Sequence, residues 1–519
     1  MPDLEPSAPA YHALPGQPSS TAGVVDAGRN SSASSDSISR FQVEGNRNVT
    51  LSLWFTFWAG TARGVWSFAV LSGYLYELTD SNRSVGIAEG VQGMCQLVAA
   101  VACGVLLDRF GRRDHVLCLS AAIGFVAAAF LVASLAARSD TLQRNERFLL
   151  LSVGLGLFGS YQGFWNTGLE TIFSDSIPTG RREGKLTKKF MLTLLASLSG
   201  PLLANAYFYC FHADKWTVAA LRDVFIGGVG LCVPPMVLLC FFDDAFMLGK
   251  SAEPVHTAAV EGMEGGGRAV TFQCRESAQV RRNFVLRVTV LNDLISGLGS
   301  GMSVKFMPLY FKNSLRLNPT EVNWILIGAT LVMAAGSFAA RRQTKTYGRA
   351  RVIMCFGLSG AAAMITLGAL PNDRHGVWAM NWRLSVPLYF ISCAQHCCRP
   401  LKKSILMDFS HRQERGGWNA VDSITRFGWS GSAVVGGFII DAYGYSLAFM
   451  ITGAMLASAA LLWPLAFRHI DAADAIKRPR AISNHKNEGA GIQRDMVQSD
   501  CHKALLPPAS TDTQLPFED

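Results

Sequence analysis

The sequence predicts an all-α membrane protein with twelve transmembrane helices in two six-helix bundles related by pseudo-two-fold symmetry. Three observations lead there. Of the 519 residues, 50% are hydrophobic and only 16% charged, a balance that argues against a set of soluble domains. Apolar segments long enough to cross a bilayer recur twelve times. A polar, glycine-containing stretch at 249–283 divides them six and six. The net charge of +9 does not indicate nucleic acid, because Lys and Arg fall in short clusters between the apolar runs, as membrane topology requires. Most of the twelve cysteines lie inside apolar runs without a spaced framework, so they read as small core residues and not as metal ligands or a disulfide set.

Residues 1–48 are rich in Ser, Pro, Ala and Gly and read as a disordered cytoplasmic tail with no cleavable signal. The sequons at Asn30 and Asn48 are discounted on that topology. The first bundle, 49–248, holds spans at about Leu51 to Tyr76, Val85 to Leu107, Val116 to Ala137, Phe148 to Ser174, Phe190 to Phe211 and Val224 to Phe242. Pro178 and Gly180 close the fourth span. Residues 249–283 carry Gly265, Gly266 and Gly267 and read as a cytoplasmic linker. The second bundle, 284–468, holds Phe284 to Phe311, Val322 to Ala340, Val352 to Leu370, Val386 to Met407, Val421 to Ile440 and Ser446 to Phe467. Residues 469–519 read as a second disordered cytoplasmic tail. Loops after even-numbered spans hold roughly twice the Lys and Arg of the others, which places both termini in the cytoplasm.

The chain is organised around the turn after the second span, Gly104-Val-Leu-Leu-Asp108-Arg109-Phe-Gly111-Arg112-Arg113. Gly104 would admit a neighbouring helix, Asp108 would accept backbone N–H groups or an arginine, and Gly111 would permit a tight reversal. This run resembles the loop signature G-x-L-x-D-R-x-G-R-R of the major facilitator superfamily, and the resemblance covers about Leu51 to Phe467. A trace of the repeat supports it. Phe110-Gly111-Arg112 has a counterpart in Tyr347-Gly348-Arg349, and Asp175 with Arg181 and Arg182 has one in Asp408 with Arg412 and Arg415. Gly111 to Asp175 is 64 residues and Gly348 to Asp408 is 60. The resemblance implies that Gly104, Asp108, Arg109, Gly111, Arg112, Arg113, Asp175, Arg349 and Asp408 form a gating set, with Arg112 pairing an acid such as Asp175. The second half departs from the pattern at Lys345, where the family has an acid. A finer likeness to the drug:proton antiporter branch is partial. Gly200-Pro201 keeps that branch's fifth-span Gly-Pro without the glycines that follow, and Gly159 stands where its fourth span has an arginine.

Ionisable side chains inside spans are costly and mark polar cavities or partners. Arg63 lies deep in the first span. Glu170 and Asn166 lie in the fourth, with Lys402, Lys403 and Arg399 on one face of the tenth, so that Glu170 is expected to meet Lys402 or Lys403 across a cavity. Asp293 and Lys305, in the seventh span, are about 18 Å apart in level and cannot pair with each other. Asp293 is a candidate proton carrier with Arg287 as an alternative partner. Trp54, Trp58, Trp66 and Trp165 are candidates for a cavity wall or a lipid-facing surface, and Cys393, His396 and Cys397 share a face but lack an acidic second shell for a metal.

The expected activity is secondary active transport of a small organic solute, with proton coupling resting on Glu170 and Asp293. No P-loop is present, which argues against ATP drive. The expected partners are a solute, protons and the bilayer, with no cofactor and no nucleic acid, in a monomer. A transporter-shaped receptor or scaffold is the competing class.

Overall fold

The computed structural model describes residues 46–110, 112–137, 143–177, 182–211, 214–247, 268–370, 382–409 and 415–471. The two tails as far as 45 and from 472, most of the 249–283 stretch, Gly111, and the side chains of Asp108 and Asp408 lie outside that description.

The described chain is helical, and twelve spans are traced. The first is Arg47–Trp66 continued by Ala69–Thr79; the second to fifth are Asn82–Phe110, Arg113–Ala136, Arg144–Asp175 and Arg182–Phe211; the sixth is Val218–Gly230 with Val233–Leu239. The seventh is Arg268–Val304 with Met307–Asn313, the eighth Pro319–Tyr347 and the ninth Arg349–Ala369. The tenth is Trp382–Ser392, Ala394–Cys397 and Arg399–Phe409; the eleventh is Arg415–Tyr443; the twelfth is Tyr445–Asp471. The expected linker is partly corrected here, because the helix of the seventh span already begins at Arg268.

Among the described residues, eight helices are long and apolar enough to cross a bilayer on those grounds alone. The first, seventh, tenth and eleventh spans are not among them. Three of these four are broken in mid-course, as the sixth also is, and broken, polar spans are tolerated in lipid only where they line a cavity or are covered by protein. The breaks after Trp66 and after Val304 stand in the first span of each half, a structural trace of the repeat.

Local chemistry sets the ends. The fourth span opens on a reciprocal capping box between Gln143 and Glu146, and the eighth on one between Asn318 and Glu321 with Pro319 in the first turn. The reversals at Gly348 (φ 84°) and Gly444 (φ 83°) need a residue without a Cβ. The third span has no side-chain cap of its own. Asp244, from the short turn after the sixth span, instead accepts the backbone N–H of Arg113 (2.9 Å) and of Asp114 (3.3 Å). Asp244→Ala should cost about 1 kcal/mol of thermal stability and Asp244→Asn much less, since the amide keeps an acceptor. A melting curve of each purified variant checks this.

The first half closes around Trp66, fully buried, stacked on Phe225 (4.9 Å, 11°) and edge-on to Phe158 (5.0 Å). Trp165 packs on Phe55 at 4.8 Å. Trp66 is therefore a core residue, which corrects the cavity-or-lipid expectation for it; Trp165 is partly buried against the same cluster and Trp54 is 55% exposed. Spans one and five cross closely, as a Cβ on Gly200 would meet the Gly64 Cα at 2.4 Å, and Thr61 and Ser199 share a hydroxyl bond of 2.7 Å beside them. The second half closes around Tyr310, Phe311, Tyr389, Tyr445 and Phe449.

Candidate functional site

The two halves meet along two helix pairs, the second span against the eleventh and the fifth against the eighth. Small residues bring the first pair together. A Cβ on Gly86 would meet the Ala433 carbonyl at 2.4 Å, one on Gly90 the Val434 side chain at 2.3 Å, and one on Gly93 the Ser430 side chain at 2.2 Å. Asp441, just past the apolar part of the eleventh span, accepts from the backbone N–H (2.9 Å) and amide (2.9 Å) of Asn82, the N–H of Arg83 (2.8 Å) and the hydroxyl of Ser81 (2.7 Å). The fifth and eighth spans are joined by Asn323 donating to Asn205 (2.9 Å), beside Trp216 donating to the Leu317 carbonyl (2.7 Å) and Asp214 accepting from Thr320 (3.0 Å).

Two lysines of the seventh span complete the junction. Lys305, at the helix break, bonds Glu89 of the second span at 2.6 Å, and Lys312, seven residues on, bonds Glu77 of the first. Lys305 lies over the Trp429 ring at 4.5 Å and Lys312 over Tyr76 at 4.5 Å. All these bonds lie at the end of the bundle away from the Gly104–Arg113 turn, called here the outer end.

At the motif end, the ion pairs found among the described residues join neighbours of one half. Arg113 bonds Asp175, and Lys189 bonds Glu170 at 2.8 Å. Lys402 bonds Asp293 at 3.0 Å and Asn292 at 2.6 Å. Arg349 donates to Ser404 at 3.1 Å, and Arg351 pairs with Asp471 at 3.1 Å.

Several expectations are corrected by this geometry. Arg112 does not reach Asp175; it pairs with Asp114 in its own turn at 3.2 Å, and its neighbour Arg113 takes the acid. Glu170 does not meet Lys402 or Lys403, because Lys189 of the adjacent fifth span is nearer in the same half, and Lys403 is exposed. The partner of Asp293 is Lys402 and not Arg287. Gly104 admits no helix here: a Cβ there would meet nothing within 4 Å, although it continues the stripe of Gly86, Gly90 and Gly93 at helical spacing. Lys305 lies in the junction between halves, 8% exposed, and not on an open cavity wall.

Arg63 is exposed on the first span and Arg109 in the motif turn, while Asn166 is half-buried on the fourth and Arg399 is exposed at the start of the last segment of the tenth. Among the described residues, no group of three or more His, Cys, Asp or Glu could hold a metal ion. Cys397 instead packs on Gly336 and donates to the Cys393 carbonyl at 3.7 Å. The sequence reading missed Glu89, Lys189, Glu77 with Lys312, and Asp441. Glu89 had a signal available, as an intramembrane charge of the same kind as Arg63, whereas Lys189 stands one residue before the expected fifth span.

A two-bundle helical membrane protein with broken first spans in each half has the architecture of a secondary transporter. Residues 289–501 match the family model of the Major Facilitator Superfamily. The fold agrees across both halves. The xylose transporter XylE from E. coli, in a partially occluded inward-open conformation, superposes with a TM-score of 0.58 at 12% identity, covering 80% of this chain and 98% of the other. A D-xylose-proton symporter gives 0.59 at 14% identity (80% and 96%), and a point mutant of the nucleoside transporter NupG gives 0.54 at 12% (81% and 100%). A search of curated proteins by sequence finds no match. Residues 289–501 are thus similar to the Major Facilitator Superfamily, and the described helices of both halves share the fold of the solved transporters.

Proposed function

We propose that this protein is a secondary active transporter that moves a small organic solute by alternating access, in a state whose outer end is shut and whose motif end is open. The one-sided distribution of bonds between the halves carries this reading. Among the described residues, the inter-half hydrogen bonds and ion pairs named above lie at the outer end, whereas those at the motif end join helices of one half. Two bundles hinged in this way can rock, because the glycine stripe of the second span extends past the shut region to Gly104, which has room for a neighbour in the alternative state.

The arginine-rich motif end is the cytoplasmic side in this proposal, so the state faces inward and both termini lie inside. The residues 49–248 and 284–468 act as the two moving bodies. Asp108, Arg109, Arg112, Arg113, Asp175, Arg349 and Asp408 act at the cytoplasmic gate. Arg63, Asn166, Arg399 and Lys403 face the solute path, and Glu170 and Asp293, each beside a lysine, can exchange a proton there. The solved neighbours are named as carriers of xylose and of nucleosides, the second xylose carrier as a proton symporter, which supports a small polar solute.

The test is uptake of labelled metabolites into proteoliposomes under an imposed proton gradient. Saturable, gradient-dependent uptake of one class is expected. Saturable binding of a metabolite with no uptake under any gradient would replace the transporter with a receptor.

A further inference from the structure

The departure at Lys345, where the family signature has an acid, falls in a turn whose charge is unlike that of its counterpart. In the first half, the turn between the second and third spans balances its bases: Arg112 pairs with Asp114 and Arg113 with Asp175. Asp114 also stands in the first turn of the third span, where the helix dipole favours an acid. The turn between the eighth and ninth spans, Arg341-Arg342-Gln-Thr-Lys345-Thr-Tyr347-Gly348-Arg349-Ala-Arg351, holds five bases in eleven residues and no acid. The ninth span has no acid in its first turn and no side-chain cap, so Arg349 and Arg351 add to the positive end of its dipole. Among the described residues, the acid found at this turn is Asp471 of the twelfth span, which pairs with Arg351 at 3.1 Å. Arg341 and Arg342 are exposed and take part in no ion pair among those residues. A topology bias requires bases at this end of the bundle, but it does not require that acids be absent.

The bases lie where a bilayer places its headgroups. Trp324, Leu331 and Phe338 follow one another at seven-residue spacing on the eighth span, and each is more than half exposed, as a lipid-facing stripe is. Arg341, Arg342 and Lys345 follow Phe338 at i+3, i+4 and i+7 and so continue this face. Trp324 to Arg342 is 18 residues, about 27 Å along the helix, close to the thickness of a bilayer's hydrocarbon core. Leu331 to Arg342 is about 16 Å, the depth of one leaflet.

We propose that this turn is a binding site for an anionic phospholipid of the leaflet at the motif end, with the phosphate on Arg341 and Arg342 and an acyl chain along Phe338 and Leu331. The inference rests on the membrane-spanning fold and not on transport. A guanidinium offers paired N–H donors to phosphate oxygens, and such charge-assisted bonds are stronger than those between neutral groups. Lys345, Arg349 and Arg351 raise the local potential, and Arg349 is held toward the turn by its bond to Ser404 at 3.1 Å. An anion seated here also relieves the repulsion among five like charges that the fold draws to one reversal at Gly348. The first-half turn needs no such ligand, because Asp114 and Asp175 already supply the negative charge.

The test is native mass spectrometry of the full chain released from nanodiscs of phosphatidylcholine with a minor share of phosphatidylinositol phosphate. The wild type should retain one molecule of the anionic lipid per chain. Arg341→Gln with Arg342→Gln should weaken retention about twentyfold, from the loss of two bases at a membrane surface. Lys185→Gln with Lys188→Gln, which removes the same charge from the motif end of the first half, should leave retention nearly unchanged. Phe338→Gln should weaken it severalfold, and the deacylated headgroup added in solution should fail to compete. Melting temperatures in lipid-free detergent should agree among all variants, which separates lost binding from lost folding. Equal weakening by the two double variants would reduce the site to diffuse attraction by a basic end, and competition by the deacylated headgroup would make it a site for a soluble anion; either result overturns the assignment. Retention of phosphatidylcholine in proportion to its share of the bilayer, with no preference for the anionic lipid, would overturn it too. None of these readouts involves uptake, so the transporter reading stands or falls separately.

Discussion

Gly86→Val will leave the protein folded but deprive it of its shut outer end, whereas Gly159→Val will unfold the first half. The two glycines look alike in sequence and differ in what they touch. A Cβ at Gly159 would stand 2.1 Å from the Gln92 carbonyl, between the second and fourth spans of one bundle, where backbone cannot yield. Overpacking there should cost about 3 kcal/mol, the top of the usual range. A Cβ at Gly86 would stand 2.4 Å from the Ala433 carbonyl, on the eleventh span of the other bundle. The clash is as severe, but it falls on an interface that the proposed cycle opens, and the open state relieves it. Size-exclusion profiles should show Gly86→Val monodisperse and Gly159→Val aggregated, and uptake should be lost in both. Aggregation of both variants to the same degree would mean that the second and eleventh spans form a permanent core contact.

The second large effect concerns the within-half ion pairs. Lys189→Met should remove the Lys189–Glu170 ion pair and cost about 2 kcal/mol, below the ~3–5 of a fully buried pair because Glu170 keeps 33% exposure. The double variant Glu170→Gln with Lys189→Met should recover most of the loss, since neither charge remains. Glu170→Gln with Lys403→Met should show no such rescue, the two residues belonging to different halves and Lys403 being exposed. Melting temperatures of the singles and doubles decide it. Rescue by Lys403→Met and not by Lys189→Met would restore a cross-cavity pair.

The fold was legible because its signals are local. Apolar length gave the spans, and the positions of glycine, proline and charge gave the turns, as at Gly348 with φ 84°, while its expected counterpart Gly111 lies outside the described residues. Helix breaks were not legible. That after Trp66 lies inside an apolar run without a proline, where the packing of Trp66 accompanies it, whereas that after Val304 falls at Lys305, three residues before Pro308 in the first turn of the next segment. The site was legible in kind but not in pairing. Intramembrane charge marked Arg63, Glu170, Asp293, Lys305 and Lys402, yet partners are set by which helices adjoin, a three-dimensional fact. Lys189 lies only 19 residues after Glu170, across one turn. The sequence reading looked for its partner through the repeat, 233 residues away at Lys403. Glu89 stands near the start of its span, where a charge draws no notice. Its importance comes from Lys305, 216 residues on.

Alternating access is tested most directly by following both ends of the same molecule. Label pairs at Leu149 and Tyr443 report the outer end, and pairs at His115 and Tyr347, both exposed, report the motif end. Measured across conditions that drive uptake, the two distances should change in opposite senses, the outer pair short when the motif pair is long and the reverse. Two distances that stay fixed, or that lengthen and shorten together, would contradict the account.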